Sequence, residues 1–338
     1  MKPSSEHRLP FEVPIYELEA QLAEMEARYA GDRGRADLAS SDAAELLRRM
    51  RKDLLNLRRN VFSNLDPWQT VQVSRHPNRP HSRDYLELVF GEFVELHGDR
   101  AIGDDQAIVT GFAHLGDQKV MFIGHQKGKN LAERTACNFG CAHPEGYRKA
   151  LLRMRLAAKF GLPIVTFIDT PGAYPGIAAE ERGQALVIAE NLMAMSGIDT
   201  PIVTVVIGEG GSGGALGIGM GDRVAMLEHA YYSVISPEGC ATILWKGAEA
   251  APKAAAALKM TAPHLLRFGI IDEIIPEPAG GAHRDHRGAA AAIKSFLIRS
   301  LREIAEQPRE ELLDRRYEKY RRIGVFVEDL GEPVLAPT

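Results

Sequence analysis

The sequence predicts an α/β protein, in which a sheet of buried strands is covered by helices on both faces. Two continuous apolar runs of strand length, at 163–168 and 201–207, indicate strands that are buried on both sides. Helix-length stretches at 144–160 and 178–195 lie before and between them. Apolar strands that alternate with helices in this way are typical of the α/β class.

The region before these strands predicts a helical hairpin. Apolar residues recur with 3-4-3-4 spacing in two stripes: Ile15, Leu18, Leu22, Met25 and Tyr29, then Leu47, Met50, Leu54, Leu57 and Val61. The polar stretch 31–41 predicts a linker, and Asp42 and Glu45 have the spacing of a capping box. Such an antiparallel pair is either a packing arm or a partner-binding arm, and the sequence leaves both interpretations open.

The connector after the hairpin is expected to be irregular from 66 to 84. Two prolines within 75–80 exclude a regular helix or a central strand there. We expect a further helix at 85–96 and place the start of the main domain near Gly98.

The main domain is predicted to open with a β-hairpin and to close with short elements. Strands at 107–115 and 119–124 are joined by a turn at Gly116. A small-residue helix at 214–220 follows the second buried strand. Further short strands and helices are expected after it, at 223–227, 231–235, 237–245, 252–258 and 262–268.

The C-terminal region predicts an amphipathic helix at 290–322, interrupted at Pro308. Its basic residues are expected to form a solvated face rather than a nucleic-acid site: Arg315, Arg316, Lys319, Arg321 and Arg322. The tail 325–338 is expected to be disordered. We therefore divide the chain into an arm and connector (1–97), a main domain (98–289) and a C-terminal helix with its tail (290–338).

Composition excludes several classes of protein. The 338 residues carry a net charge of −4, which gives no general attraction to nucleic acid or to an anionic membrane. No apolar run approaches the roughly 20 residues that span a bilayer, and the N-terminus lacks the apolar segment of a signal peptide. We expect a cytoplasmic protein. Its cysteines are expected to be reduced thiols without a metal: Cys137, Cys141 and Cys240.

Two turns follow the buried strands, at 169–176 and 208–214. Both lie at the carboxyl ends of strands, where ligand sites of α/β sheets form. Gly213 and Gly214 fall where the next helix is expected to begin. Free amides at a helix start favour negative charge, and glycine leaves them uncovered. The second turn is therefore predicted to hold a developing oxyanion on backbone amides.

Other interpretations of the same turns are possible. Gly210 to Gly214 match G-x-S-x-G, so Ser212 is a candidate nucleophile of a serine acyl hydrolase. Its general base would be one of three histidines: His229, His264 or His283. Gly208-x-Gly210-x-x-Gly213 with Glu228 matches a dinucleotide-binding pattern. A non-catalytic assembly protein built around the helical hairpin is a third class.

The sequence closely resembles the α subunit of the carboxyltransferase component of bacterial-type acetyl-CoA carboxylase. The resemblance runs from about Phe11 to Gly324. Five motifs carry it most clearly: GHQKG at 124–128, PEGYRKA at 144–150, TFIDTPGAYPG at 166–176, VIGEGGSGGAL at 206–216 and YSVISPEGC at 232–240.

The resemblance implies a crotonase-like fold, a spiral of ββα units, with the helical hairpin at its N-terminus. It also implies a β subunit that carries a zinc ribbon, an α2β2 assembly, and cooperation with biotin carboxylase. The reaction would transfer the carboxyl group of carboxybiotin, presented by the biotin carboxyl carrier protein, to acetyl-CoA. Its product, malonyl-CoA, enters fatty-acid biosynthesis.

The resemblance further implies where the site lies. Gly213 and Gly214 would form the hole for the ureido oxygen of biotin, while the thioester hole would come mainly from the β subunit. Gly172, Ala173 and Tyr174 would line the pocket, together with Gly210 and Gly211. Lys127 and Lys129 are candidates for the phosphates of CoA. No metal and no covalently bound cofactor are expected on this chain.

Overall fold

The computed structural model describes residues 7–32 and 39–324. Most of the expected linker, the first six residues and the tail 325–338 lie outside the described residues. Among the described helices, none has the length and apolar content needed to cross a membrane.

Helices α1 to α14 follow one another along the chain. Their bounds are Val13–Asp32, Ala39–Ser63, Pro67–Ser74, Ser82–Val89, Leu131–Ala136, Pro144–Lys159, Ile177–Glu181, Gln184–Ser196, Ser212–Leu216, Pro237–Trp245, Ala251–Leu258, Ala262–Arg267, His286–Ala305 and Leu312–Arg321. Strands β1 to β8 are Phe93–Glu95, Ile108–Leu115, Gln118–His125, Ile164–Thr170, Ile202–Gly211, Arg223–Leu227, Tyr231–Ser233 and Glu273–Ile275.

The strands form one sheet in the order β1-β2-β3-β4-β5-β6-β8, and β7 pairs with the end of β5. The first three strands are antiparallel, and all pairings from β3 onward are parallel. Every residue of β4 and β5 is buried, which explains their continuous apolar sequences. The predicted α/β class and the hairpin around Gly116 are confirmed.

Strand β5 is longer than the sequence predicts. We expected it to end at 207 and to be followed by a turn, but it continues to Gly211. Its glycine-rich end pairs with β7 on one side and with β4 on the other, through Thr170 and Gly210. These partners are distant in the sequence and supply the hydrogen bonds that keep a glycine segment extended.

The predicted helical hairpin is confirmed. Ion pairs from Glu26 to Arg51 and from Glu19 to Arg58 show that α1 and α2 are antiparallel. The two apolar stripes meet in a small core of their own, with Ile15 and Leu54 buried. The expected capping role of Asp42 is wrong, because α2 already begins at Ala39.

The connector departs from the sequence prediction in two places. Helix α3 occupies part of the stretch expected to be irregular, because Asp66 and Gln69 form a capping box at its start. The helix expected at 85–96 is wrong beyond Val89, where the chain turns into the edge strand β1. Likewise, the helix expected at 178–195 is broken at Gly183, whose φ is +81°.

The C-terminal helix is interrupted at Pro308 as predicted, but it is not a solvated appendage. Ile293, Phe296 and Leu297 on α13 belong to the main core. The prediction of a solvated basic face is wrong at Arg316, which is fully buried and bonded to Asp222 at 2.7 Å. The division of the chain into three regions remains a prediction.

Candidate active site at the carboxyl ends of the parallel strands

The two glycine-containing segments that the sequence predicted as turns, 169–176 and 208–214, are in direct backbone contact; we keep the name turn for both. A Cβ built on Gly211 would lie 2.1 Å from the carbonyl oxygen of Pro171. A Cβ on Gly214 would lie 2.5 Å from the nitrogen of Ala173 and 2.5 Å from the carbonyl carbon of Gly172. No side chain fits at either glycine unless the backbone moves, so these two glycines allow the turns to touch.

The amides at the start of α9 are available for a ligand. The first amides of a helix have no acceptor within that helix, and those of Gly213 and Gly214 donate to no acceptor in the described part of the chain. The same is true of the Ala173 amide. A Cβ on Gly213 would meet only carbons of Ile188, at 3.8 and 3.9 Å. Three free amides from two turns are thus close together, beside an open position at Gly213.

Side chains from two helices hold α9 in place. The hydroxyl of Tyr147 donates to the carbonyl oxygen of Gly214 at 3.2 Å. Asn191 donates to the carbonyl oxygens of Tyr147 and Gly217, at 3.0 and 2.9 Å. Both side chains are buried, so the orientation of the α9 amides is set by packing against α6 and α8.

Contacts from outside the sheet hold the other turn, 169–176, in place. The ring of Tyr174 stacks on His143 with the ring centroids 4.1 Å apart. The Tyr174 amide donates to the carbonyl oxygen of Ala142, and the Gly172 amide donates to the hydroxyl of Thr170. These two amides are therefore occupied, which leaves Ala173 as the one free donor of the triplet among the described contacts.

The nucleophile interpretation of Ser212 is not supported. Ser212 is exposed, and its φ of +49° reflects the sharp change from strand to helix. None of the three candidate bases makes a described hydrogen bond to it. His264 bonds with Thr261, His283 bonds with Glu12, and His229 packs against Phe62.

The dinucleotide interpretation is also wrong. Gly208 and Gly210 are residues of strand β5 rather than of a phosphate-binding turn. Glu228 accepts a hydrogen bond from the amide of Glu277 and so has a structural role.

Lys127 is not an exposed phosphate contact, contrary to the sequence expectation. Its Nζ lies 2.6 Å from Oδ1 of Asp169 and 2.6 Å from Oε2 of Glu209, and its side chain is only 14% exposed. Lys129 is exposed, and its Nζ contacts Asp84. The sequence singles out Lys127 as a candidate. It does not show the two buried carboxylates that pair with the lysine, because they lie on other strands.

The charges around Glu209 stabilise its ionised form. Burial would raise the pKa of this carboxyl, but Lys127 and Arg75 outweigh burial and lower the pKa to about 2. Its Oε1 accepts hydrogen bonds from Arg75 at 2.6 Å and from Tyr231 at 2.7 Å. Burial opposes the charge of Lys127, yet Asp169 and Glu209 raise the lysine pKa above its usual value.

One group of buried side chains has the composition of a metal site, although the sequence did not single it out. Glu12, His76 and His283 bring their ligand atoms within 4.8 Å of one another. However, Glu12 already bonds with His283 and Arg284, at 3.1 and 3.0 Å. His76 bonds through Nε2 to the carbonyl oxygen of His7. A cation there would have to displace these contacts, of which those of Glu12 tie the segment before α1 to the residues between β8 and α13.

Solved structures of related architecture define the fold. The chain aligns with the transcarboxylase 12S structure with a TM-score of 0.52 and 22% identity, over 65% of this chain and 42% of that one. It aligns with the β subunit of Pseudomonas aeruginosa geranyl-CoA carboxylase with a TM-score of 0.52 and 17% identity, over 72% and 46%. The fold is thus the crotonase-like α/β fold of carboxyltransferases, as expected, and the chain spans under half the length of these larger proteins.

Sequence comparison then gives the family. Residues 8–324 match the family described as acetyl co-enzyme A carboxylase carboxyltransferase-like. The acetyl-coenzyme A carboxylase carboxyl transferase subunit alpha of Rhodopirellula baltica is 59% identical over 95% of this chain and 98% of its own length. The protein of the same name from Methylococcus capsulatus is 55% identical over 95% and 98%. The chain belongs to the family of acetyl-CoA carboxylase carboxyltransferase α subunits.

Proposed function

We propose that this chain supplies one oxyanion site of an acetyl-CoA carboxylase carboxyltransferase. Its substrates would be acetyl-CoA and carboxybiotin presented by a biotin carboxyl carrier protein, and its product malonyl-CoA for fatty-acid synthesis. The observation that carries the proposal is the group of free amides of Ala173, Gly213 and Gly214. Free amides stabilise a developing negative charge. In the described part of the chain, no nucleophile paired with a general base lies beside them.

The chemistry of carboxyl transfer fits such a site. Negative charge develops on the ureido oxygen of biotin as the carboxyl group leaves, and on the thioester oxygen of acetyl-CoA as its methyl group loses a proton. Preorganised amides stabilise such charge more in the transition state than in the ground state. We assign the amides of Gly213 and Gly214 to the ureido oxygen, and Gly172, Ala173 and Tyr174 to the wall of the pocket, beside the backbone of Gly210 and Gly211.

A second chain is needed to supply the thioester hole, and we propose that the β subunit docks beside the amides. Ile188 of α8 is the side chain next to Gly213. Large apolar side chains are more than 60% exposed on α7, α8 and α10 and just after β7: Ile177, Leu186, Met193, Val234, Ile243 and Leu244. A contiguous patch of exposed apolar side chains marks a protein interface, and we propose that these side chains form such a patch. We also propose an α2β2 assembly that works with biotin carboxylase in the cytoplasm, whose reducing conditions suit the three free cysteines.

The test is reconstitution of the reaction. The chain alone, the chain with β subunit, and the pair with carboxylated carrier protein are assayed for malonyl-CoA. Only the complete mixture is expected to be active. Activity of the isolated chain, or labelling of Ser212 by a fluorophosphonate, would instead favour an acyl hydrolase. Ser212→Ala should retain most of the activity of the complete mixture, because its hydroxyl has no assigned role.

A further inference from the structure

A buried ammonium group joins the ends of the strands that lead into the two turns. Lys127 follows β3, while Asp169 lies near the end of β4 and Glu209 near the end of β5. The lysine Nζ is 2.6 Å from a carboxylate oxygen of each acid. All three side chains are buried or nearly so, and all three lie at the carboxyl edge of the sheet.

The Asp169 side chain also replaces part of the strand pairing. The register between β4 and β5 shifts between Ile168 and Thr170. At this irregularity Oδ1 of Asp169 accepts a hydrogen bond from the backbone amide of Glu209 at 3.0 Å. A Cβ on Gly208 would lie 2.5 Å from the same oxygen, so the carboxylate fits against a bare glycine. Asp169 therefore fixes the spacing of the two strand ends.

We propose that Lys127 is a positioning residue, which holds the ends of β4 and β5 so that the amides of Gly213 and Gly214 face one oxygen, with the Ala173 amide of the other turn beside them. The inference rests on the proposed function of these amides. Ala173 lies four residues beyond Asp169, and Gly213 lies four residues beyond Glu209. A change in the distance between the two acids therefore passes directly to the amides.

Removal of the lysine charge leaves two buried carboxylates without the cation between them. Their repulsion acts across the strand irregularity, where the register of the backbone pairing shifts. A misplacement of about 1 Å in a catalytic arrangement can cost about 100-fold in rate. The effect should appear in kcat, because the ammonium group of Lys127 is buried and held by two carboxylates.

Other contacts preserve the fold without Lys127. Glu209 keeps its bonds to Arg75 and Tyr231, at 2.6 and 2.7 Å. Arg75 is also bonded to Glu238 on α10. Glu209 thus remains anchored from the side of α3 and β7, so Lys127→Met is expected to fold.

The experiment compares Lys127→Met with Lys319→Met in the reconstituted complex. Lys319 is a matched control, because its side chain is 15% exposed and its Nζ pairs with Asp272 before β8, at the opposite edge of the sheet. Lys127→Met should lower kcat about 100-fold and change the KM for acetyl-CoA less than threefold. Lys319→Met should keep kcat within about threefold of wild type.

A double variant separates positioning from general damage. Asp169→Asn keeps an oxygen that can accept from the Glu209 amide but removes one of the two repelling charges. Lys127→Met combined with Asp169→Asn should therefore regain at least tenfold in kcat over Lys127→Met alone. Equal losses in Lys127→Met and Lys319→Met, a rise in KM at unchanged kcat, or no regain in the double variant would each overturn the inference.

Hydrogen exchange tests the inference without activity. In the isolated chain, Lys127→Met should speed amide exchange in 208–214 at least tenfold, and Lys319→Met should leave it unchanged. An unchanged rate in Lys127→Met contradicts the positioning role. A complete wild-type mixture that makes no malonyl-CoA contradicts the proposed function instead, so the two failures are distinguishable.

Discussion

Gly213 and Gly214 are neighbours of the same type, but their surroundings differ. Gly214 is in contact with the backbone of the other turn, while Gly213 faces open space beside Ile188. The sequence predicted both as amide donors because each precedes or begins a helix after a buried strand. It could not show that one glycine is required by packing and the other is not, since the contact at Gly214 comes from residues forty positions earlier.

Gly214→Ala is expected to lower kcat by about 10² to 10³. The new Cβ must displace the Ala173 backbone, which changes the relative positions of the Ala173 and Gly214 amides. Gly213→Ala is the matched control. Its Cβ meets nothing closer than 3.8 Å, and its amide remains. Steady-state kinetics of the complex should give it at least ten times the kcat of Gly214→Ala. Equal activity of the two variants would contradict the assigned geometry.

Arg316 is a basic residue whose structural role could not be predicted from the sequence. It lies in a run of charges that predicts a solvated face, but its guanidinium is buried and bonds with Asp222 and with the carbonyl oxygens of Met195, Ile198 and Thr200. Periodicity identifies the face of a helix, but not whether another element covers that face.

Arg316→Met should lower the free energy of unfolding by about 3–5 kcal/mol, because Asp222 and three carbonyl oxygens lose their partner. Arg315→Met is the control, since Arg315 pairs with Glu311 in an exposed position and should cost less than about 1 kcal/mol. Urea denaturation of the two variants measures the difference. Equal losses would show that burial of Arg316 contributes little.

At the scale of elements, the sequence predicted helices and strands well where one face or both faces carry a regular apolar pattern. The hairpin of α1 and α2 and the buried strands β4 and β5 are such cases. It failed where distant pairing sets the structure, as in the glycine-rich end of β5. It also overlooked the capping box of Asp66 and Gln69, a local signal that was available.

The attachment of the N-terminal arm should weaken as pH falls. Burial, together with the neighbouring His283, lowers the pKa of His76 to about 4. Burial also lowers the pKa of His283. The folded state thus binds fewer protons than the unfolded state between pH 6.5 and 4, so stability is lost as pH falls through that window. Glu12 acts in the same direction, because His283 and Arg284 outweigh burial and lower its pKa.

Hydrogen exchange in α1, corrected for intrinsic rates, should therefore be about tenfold faster at pH 5 than at pH 7.5. His76→Gln is the comparison variant, because it removes one titrating group and should reduce the pH dependence. Exchange in β4, which lies in the main core, is the internal reference. Equal exchange in α1 at both pH values would show that the histidines do not control the arm.

At the scale of the whole molecule, α8 lies beside Gly213 through Ile188 and carries exposed apolar side chains that, by our proposal, a partner covers. Leu186→Glu is expected to weaken binding of the β subunit by about 100-fold, because a charge would be buried at the contact. Phe160→Glu is matched in exposure, at 63% against 62%, and lies away from the amides after α6. Titration calorimetry with the β subunit should show wild-type affinity for this control and a loss only for Leu186→Glu.

The sequence by itself determined the class of fold, the hairpin and the two glycine-containing segments that meet in the site, because these follow from local periodicity and from glycine at strand ends. The family resemblance added the reaction. Only the tertiary structure decided that β5 continues to Gly211, that Ala173 joins Gly213 and Gly214 as a free donor, and that Lys127 bridges two buried acids. These features depend on contacts between residues more than 20 positions apart, and the local pattern of a sequence does not show which distant residues the strands bring together.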